Sequence, residues 1–248
     1  MSNIVVNVEN LKAAYDKRQV LHGVSMGIQK AETYGLIGLN GAGKTTLIKI
    51  LLGLKDEISG NISILDADRN NKSVKSQISY LPERFDPPWF LTGGEFIKFS
   101  AELYNRKVEK TLMEEYASSL ALDPSVLSRK VQTYSKGMRQ KLGLIATILT
   151  GCSVLILDEP MSGLDPLARA LVKNLLLKVK GEGRTVILSS HILADMDEIC
   201  DNISVIHDGV IHYSGTPSGF KTEMNENSLE RAFLHIVNNA NDAVRGAA

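Results

Sequence analysis

One run of nine residues, Gly38-Leu39-Asn40-Gly41-Ala42-Gly43-Lys44-Thr45-Thr46, restricts the possible folds of this chain more than any other part of it. It fits G-x-x-x-x-G-K-[ST] without a mismatch, the loop whose backbone N–H groups turn inward around a polyanion. Several positions in such a loop need unusual dihedrals and no bulk, and Gly38, Gly41 and Gly43 meet that need. Lys44 is expected to extend its ammonium to terminal phosphates, and the Thr45 hydroxyl to ligate Mg²⁺. Leu39, Asn40, Ala42 and Thr46 complete the cradle. The motif has this meaning only between a buried strand and a helix. Thr33–Ile37 predicts the strand. Residues 44–54 predict the helix, with Leu47, Ile48, Ile50, Leu51 and Leu54 mostly on one face. Its N-terminus would add partial positive charge at the phosphates.

Composition narrows the classes that remain. The 248 residues are formally neutral, 44% hydrophobic and 23% charged, a globular balance long enough for one domain with a subdomain. Zero net charge argues against a dedicated nucleic-acid binder. The two cysteines, Cys152 and Cys200, lack metal-ligand spacing and sit in apolar surroundings. They are expected to be buried free thiols in a reducing compartment. No signal-peptide pattern opens the sequence, and no stretch approaches the ~20 apolar residues of a bilayer span. Work at a membrane is therefore expected to go through a partner.

Along the chain, residues 4–8 alternate as a strand, residues 11–15 continue a second extended piece, and residues 20–28 suggest a third. Together they predict a small antiparallel sheet ahead of the glycine loop. An exposed Tyr15 on that sheet could stack on an adenine ring, a contact worth ~1–3 kcal/mol per base; a tyrosine packed into the sheet is the simpler alternative. Residues 59–66 predict a turn and a strand, and residues 77–81 another strand stopped by Pro82. Residues 82–90 read as a loop by their three prolines, Pro82, Pro87 and Pro88, and hold the sole tryptophan, Trp89. Thr92 to Glu95 resembles a capping box, and residues 107–121 predict a charged amphipathic helix. The region of about 85–150 thus reads as a helical subdomain. Val154–Asp158 and residues 185–191 are continuous apolar runs suited to parallel strands covered on both faces. A helix is expected over 167–180, a hairpin over 203–213, and one terminal helix over 228–237.

Four stretches carry chemistry beside the loop. Asp158 and Glu159 end an apolar strand, where adjacent carboxylates repel and need a reason. Asp158 is placed to hold Mg²⁺ and Glu159 to polarise an attacking water. Tyr134-Ser135-Lys136-Gly137-Met138 forms a polar turn before a helix, and Ser162-Gly163-Leu164-Asp165 a turn after the carboxylates. His191 ends the next strand, on the side where doubly wound sheets place ligands.

In this order the motifs resemble the ATP-binding-cassette (ABC) ATPases over about residues 5–216. The resemblance implies an α/β fold: a P-loop NTPase (RecA-like) core with an N-terminal antiparallel β subdomain and an inserted α-helical subdomain. It places the ATPase domain at 1–220 and a tail at 221–248. Tyr15 then looks like the adenine-stacking residue, residues 38–46 the P-loop, and Asp158 the Walker B aspartate. Glu159 looks like the catalytic glutamate, Asp165 part of the D-loop, and His191 the switch histidine. Ser135, Lys136, Gly137 and Met138 occupy the signature motif, whose usual form is LSGGQ; Lys136 replaces a Gly and Met138 a Gln. Glu83 stands where the family usually has Gln, as a further ligand to Mg²⁺ or water, with altered Mg²⁺ affinity expected.

The YSKGM form and the Tyr-Leu-Pro-Glu loop resemble a bacterial subgroup that works with separate ABC-2-type membrane permeases, mostly exporters. That implies a cytoplasmic subunit, peripheral on the inner face of the membrane, that binds ATP and Mg²⁺. It would dimerise head to tail with a second ATP-binding subunit, as a homodimer or heterodimer, and act on no nucleic acid. The loop 85–90 is expected to line a groove for a cytoplasmic helix of the permease; packing inside the helical subdomain is the alternative. A soluble ABC ATPase of translation or DNA repair remains a second reading. Such proteins usually carry two cassettes or a long coiled-coil insertion, and neither is present here. A P-loop kinase of small molecules would leave residues 134–137 and Asp165 unexplained.

Overall fold

In the computed structural model, which describes residues 3–16 and 18–246, the apolar runs flanking the glycine loop pair into one sheet. In chain order the elements are β1 (Ile4–Tyr15), β2 (Arg18–Gln29), β3 (Thr33–Ile37), α1 (Lys44–Leu51), β4 (Ser59–Ile64), β5 (Ala67–Asp68), α2 (Lys72–Lys75), β6 (Ile78–Leu81), α3 (Gly93–Glu102), α4 (Lys110–Ser119), α5 (Lys136–Leu149), β7 (Val154–Asp158), α6 (Pro166–Gly181), β8 (Thr185–Ser190), α7 (Leu193–Ile199), β9 (Asn202–His207), β10 (Val210–Gly215), α8 (Pro217–Glu223) and α9 (Leu229–Gly246). The larger sheet runs β10-β9-β3-β8-β7-β6. Its strands are parallel except for β10, which returns antiparallel on β9. A second sheet, β2-β1-β4-β5, is antiparallel.

Every residue of β3, β7 and β8 is buried, which is what the unbroken apolar runs demand. The pleat sorts them between two cores. Val154 and Ile156 join the core shared with α1, β1 and β2, while Leu155 and Leu157 join the one shared with α5 and α6. Each such side chain contributes about 1.5–3 kcal/mol on burial. The sheet is therefore the middle layer of three, and the C-terminal ends of β3, β8, β7 and β6 open along one edge. That edge is where ligands meet sheets of this kind.

Several boundaries differ from expectation for local reasons. Residues 4–8 and 11–15 form a single strand, because irregular pairing between Val8 and Leu11, with Asn10 at φ 48°, absorbs the break in alternation. The glycine-loop helix stops at Leu51, and Gly53 in the left-handed region turns the chain out. Leu54 consequently lies outside the helix and is exposed. The turn placed before β4 comes after it instead, at Leu65 and Asp66, both with positive φ. The helix expected over 107–121 is the shorter α4. Neither α2 nor α8 was anticipated. Residues 85–150 do hold α3, α4 and α5, and Thr92 and Glu95 cap α3 reciprocally.

The tail is not an appendage. Leu229, Ala232, Phe233 and Ile236 of α9 enter the same core as Phe220, Ile199 and Val205. Lys221 also pairs with Asp197 at 2.8 Å, tying α8 to α7. A boundary at 220 cuts through one packed unit, and the last helix begins at Leu229 and runs beyond 237. Phe233→Ala is expected to lower unfolding free energy by about 3–5 kcal/mol, read from urea denaturation. A change below about 1 kcal/mol would mean that α9 contributes little to the core.

Candidate active site

The loop between β3 and α1 owes its shape to two different demands on glycine. Gly41 and Gly43 have φ of 85° and 110°, values that side chains rarely tolerate. Gly38 differs: its φ is ordinary, but a Cβ there would lie 2.4 Å from the Ile206 carbonyl oxygen on β9. Its glycine is required by close packing and not by dihedral freedom, a correction to the sequence reading. Gly43 also stands at the N-cap of α1 with no side chain capping the helix. The first-turn N–H groups, which have no intrahelical partner, are thus left for a ligand.

Lys44 is buried, and its ammonium donates to the carbonyls of Gly38 at 2.7 Å and Leu39 at 3.2 Å. Burial pushes its pKa down, opposed by Glu159, Asp158 and Glu83. The Thr45 hydroxyl donates to Asp158 Oδ2 at 3.1 Å, so two of the three residues expected at Mg²⁺ already touch. Leu39, Asn40, Gly41, Gly43, Lys44, Thr45, Thr46, Glu83, Asp158 and Glu159 line one cleft of about 200 Å³. Glu83 reaches it from the loop after β6. Tyr80, at the end of that strand, has its pKa raised to about 12 by burial and by Asp158 and Glu83.

Parallel pairing of β7 with β8 sets Asp158 opposite Ser189. The Ser189 hydroxyl accepts from the Glu159 N–H at 3.0 Å and donates to Asp158 Oδ1. Glu159 leaves the strand at φ 52°, a strained value for a side-chain-bearing residue. Its carboxylate is buried; Oε2 contacts His191 Nδ1 at 2.8 Å, while Oε1 has no partner. A buried acceptor left unpaired costs about 1–3 kcal/mol, and a water bound beside the phosphates would satisfy it.

A metal fits this set. Among the described residues no group of three or more His, Cys, Asp or Glu side chains could hold one unaided. Mg²⁺ does not require that, since it usually binds one or two carboxylates together with substrate phosphates and waters. Thr45, Asp158 and the cleft-lining Glu83 offer such a set.

Other expected residues lie apart from the cleft. Tyr15 is exposed at the end of β1, beside an open groove lined by Arg18, Gln19, Val20, His22, Gly41, Asp208 and Gly209. Gly41 belongs to both groove and cleft, so the two meet there. The Lys55 ammonium lies 4.1 Å from the Tyr15 ring centroid and engages one face. Ser135 caps α5, accepting from the Met138 N–H at 3.2 Å. Neither it nor Lys136, Gly137 or Met138 lines the cleft. They sit instead beside the turn before α6: Lys136 borders Gly163, and Gly137 borders Leu164. Asp165 caps α6 through the Ala168 N–H at 2.9 Å and is likewise outside the cleft. Trp89 and Phe90 are exposed, stacked edge to face at 5.8 Å, whereas Phe85 packs on Phe96.

Sequence reasoning missed Ser189 and Gln140. Gln140 donates from Nε2 to the Pro160 carbonyl at 3.1 Å, joining α5 to the turn after Glu159. A serine at a strand end carries no signal of its own until the parallel register is known.

The family model described as ABC transporter matches residues 21–162. A lantibiotic transport ATP-binding protein of Streptococcus pyogenes, SrtF, is 32% identical over 207 residues, covering 84% of this chain and 89% of that protein. A bacitracin transport ATP-binding protein of Enterococcus faecalis, BcrA, is 34% identical over 210 residues, 83% of this chain and 67% of that protein. An ABC transporter ATP-binding protein of Synechocystis is 37% identical over 203 residues. This chain spans 57% of that protein and 59% of a Nostoc relative. A solved ATP-binding subunit of an ABC transporter superposes with a TM-score of 0.85 at 29% identity, covering 94% of this chain and 99% of that one. A dimeric ATP-binding cassette with bound ADP and Pi superposes at 0.78 with 19% identity and shares the fold.

Ser189→Ala would strip the Glu159 N–H of its acceptor and free one Asp158 oxygen. The expected loss is about 1–3 kcal/mol of stability, measured by urea denaturation. A neutral result would mean that water replaces the hydroxyl without cost.

Proposed function

The chain belongs to the ABC transporter family, and we propose that it is an ATP-hydrolysing subunit driving export through a separate ABC-2-type permease. The observation that carries the hydrolytic part is Glu159, buried, oriented by His191, and with a free oxygen beside the cleft of Lys44 and Thr45. On this reading the adenine stacks on the free face of Tyr15 while the phosphates pass Gly41 into the loop 38–46. Lys44 exchanges its bonds to Gly38 and Leu39 for the terminal phosphates, which restores the charged form that burial disfavours. Thr45, Asp158 and Glu83 would hold Mg²⁺, which would supply positive charge to the phosphate oxygens. Glu159 takes a proton from the water attacking the γ-phosphate. His191 keeps that carboxylate aimed and contacts the same phosphate.

The site is half of a pair. Ser135, Lys136, Gly137 and Met138 do not line their own cleft, which supports use of these residues by a second ATP-binding subunit. There the Ser135 hydroxyl and the N-terminal N–H groups of α5 would close over the γ-phosphate. Asp165, capping α6 near that surface, belongs to the same contact. A two-fold homodimer completes both sites with one kind of chain; a heterodimer needs a second cassette. ATP then holds two like subunits together, and loss of the γ-phosphate releases them.

No helix among the described residues is long and apolar enough to cross a membrane. The streptococcal and enterococcal relatives are named for lantibiotic and bacitracin transport, which favours an exporter at the inner face of the membrane. The exposed Trp89 and Phe90 support contact with a cytoplasmic helix of the permease, since an apolar pair left in water calls for a partner.

Glu159→Gln should slow ATP hydrolysis by about 10²–10⁴-fold and give a stable dimer with ATP on size-exclusion chromatography with light scattering. A variant that stays monomeric at saturating ATP would contradict the paired-site mechanism. Trp89→Ala should reduce transport in reconstituted vesicles with little change in melting temperature, because the side chain packs on little besides Phe90. Unaltered transport would remove the loop from the permease contact.

A further inference from the structure

The loop between α1 and β4 inverts the usual preference of its residues. Leu54 and Ile58 are exposed, at 67% and 62%, while Lys55 between them is partly buried. A lysine is ordinarily the residue left in water, so the inward turn of this one needs a partner. The two acids beside it do not provide one. Asp56 and Glu57 both reach Arg69, and no ion pair among the described residues includes Lys55. Its ammonium lies instead over the ring of Tyr15, 4.1 Å from the centroid.

The loop that carries Lys55 is fixed at both ends. The Leu54 N–H donates to the Lys49 carbonyl at 2.8 Å, closing the end of α1, and the Ile58 N–H donates to the Lys12 carbonyl at 2.7 Å. Lys12 and Tyr15 belong to the same strand, β1, of which Tyr15 is the last residue. Lys55 is therefore held against the ring both by the strand that bears it and by the helix that begins at the glycine loop. The groove that meets the cleft at Gly41 is lined by Tyr15 but not by Lys55, so the ammonium meets the ring from outside the groove. Lys55 does not line the phosphate cleft either, as a lysine placed to attract phosphate would. A cation over one face is held by the negative π cloud of the ring. It fixes the ring's orientation and leaves the other face to a second planar group. Tyr15 is 45% exposed, so packing alone restrains it weakly.

Resting on the assignment of Tyr15 to the adenine, we propose that Lys55 is a positioning residue for base recognition, which pre-orders the Tyr15 ring so that the adenine meets a face already in place. A side chain ordered before the ligand arrives removes part of the entropic cost of binding. The effect belongs to the base alone, because the phosphates are assigned to other groups, in the loop 38–46. On this reading α1 serves both ends of the nucleotide: its first turn faces the phosphates, and the loop leaving its last turn steadies the ring.

The test is calorimetric titration of the full chain with MgADP and with magnesium pyrophosphate, a ligand that has phosphates but no base. Lys55→Met should raise the Kd for MgADP about 2–10-fold and leave that for pyrophosphate unchanged. Lys55→Gln, equally neutral but polar, should reproduce the loss, and Lys55→Arg, which keeps a cation for the ring, should restore the binding. In a Tyr15→Ala background Lys55→Met should have no further effect, since its action passes through the ring. Equal weakening of ADP and pyrophosphate would make Lys55 a charge acting on the phosphates and overturn the inference, as would a further loss in the Tyr15→Ala background or unchanged affinity in Lys55→Gln. If Tyr15→Ala weakens ADP binding and Lys55→Met does not, the inference falls and the assignment of Tyr15 stands. If neither substitution weakens it, both fall.

Discussion

The parallel alignment of β7 with β8 places Asp158 across from Ser189, and the active-site geometry depends on that pairing. The serine occupies both hydrogen-bonding directions at once, holding the Asp158 carboxylate and the backbone of Glu159. With that backbone fixed, the positive φ of Glu159 turns its side chain toward His191 and the cleft. On the other side Asp158 meets Thr45, so β7 also sets the start of α1 relative to the carboxylates. A slip of one residue in this register would turn Asp158 to the opposite face and separate the loop 38–46 from its acid. The apolar sides of β7 and β8, buried in two cores, are what make such a slip costly.

The same packing leaves charge unbalanced in places where a ligand belongs. Lys44 is satisfied by carbonyls of its own loop, a weaker match for an ammonium than phosphate oxygens would be. Glu159 keeps one buried oxygen without a donor. Three carboxylates, from Glu83, Asp158 and Glu159, face a single lysine across the cleft. Such an excess of negative charge is poorly suited to a bare polyphosphate but well suited to one accompanied by a divalent cation. Glu83 sharpens that point: where a glutamine would be neutral, it adds a third carboxylate to the cleft.

Much of this was legible in the residues. The loop 38–46, the apolar runs before it and at Val154–Asp158, and the paired carboxylates each follow from local chemistry, because phosphate binding and burial leave strong patterns at short range. What was not legible depends on chain segments distant in sequence. Gly38 needs to be glycine because β9 passes close to it, which no local pattern records. Ser189 matters only through its register with Asp158. The break between residues 8 and 11 looks like two strands because a local irregularity and a true end disrupt alternation alike. The amphipathic α9 could be recognised as a helix, but its place against Phe220 and α7 could not, since an apolar stripe does not name the surface it covers.

Two contacts suggest how the nucleotide state reaches the rest of the molecule. Gln140 on α5 holds the Pro160 carbonyl, one residue beyond Glu159. The helix that begins at Ser135, the surface proposed to meet a second subunit, is thereby attached to the turn that carries Glu159. On the opposite flank β6 carries Tyr80, which lines an apolar cavity with Leu51, Leu54 and Ile78, and leads to Glu83 in the cleft. Both routes are short: one side-chain hydrogen bond and one strand of four residues. On the proposed reading, hydrolysis therefore has two short links to act through, Pro160 to the helix that begins at Ser135 and Glu83 to β6.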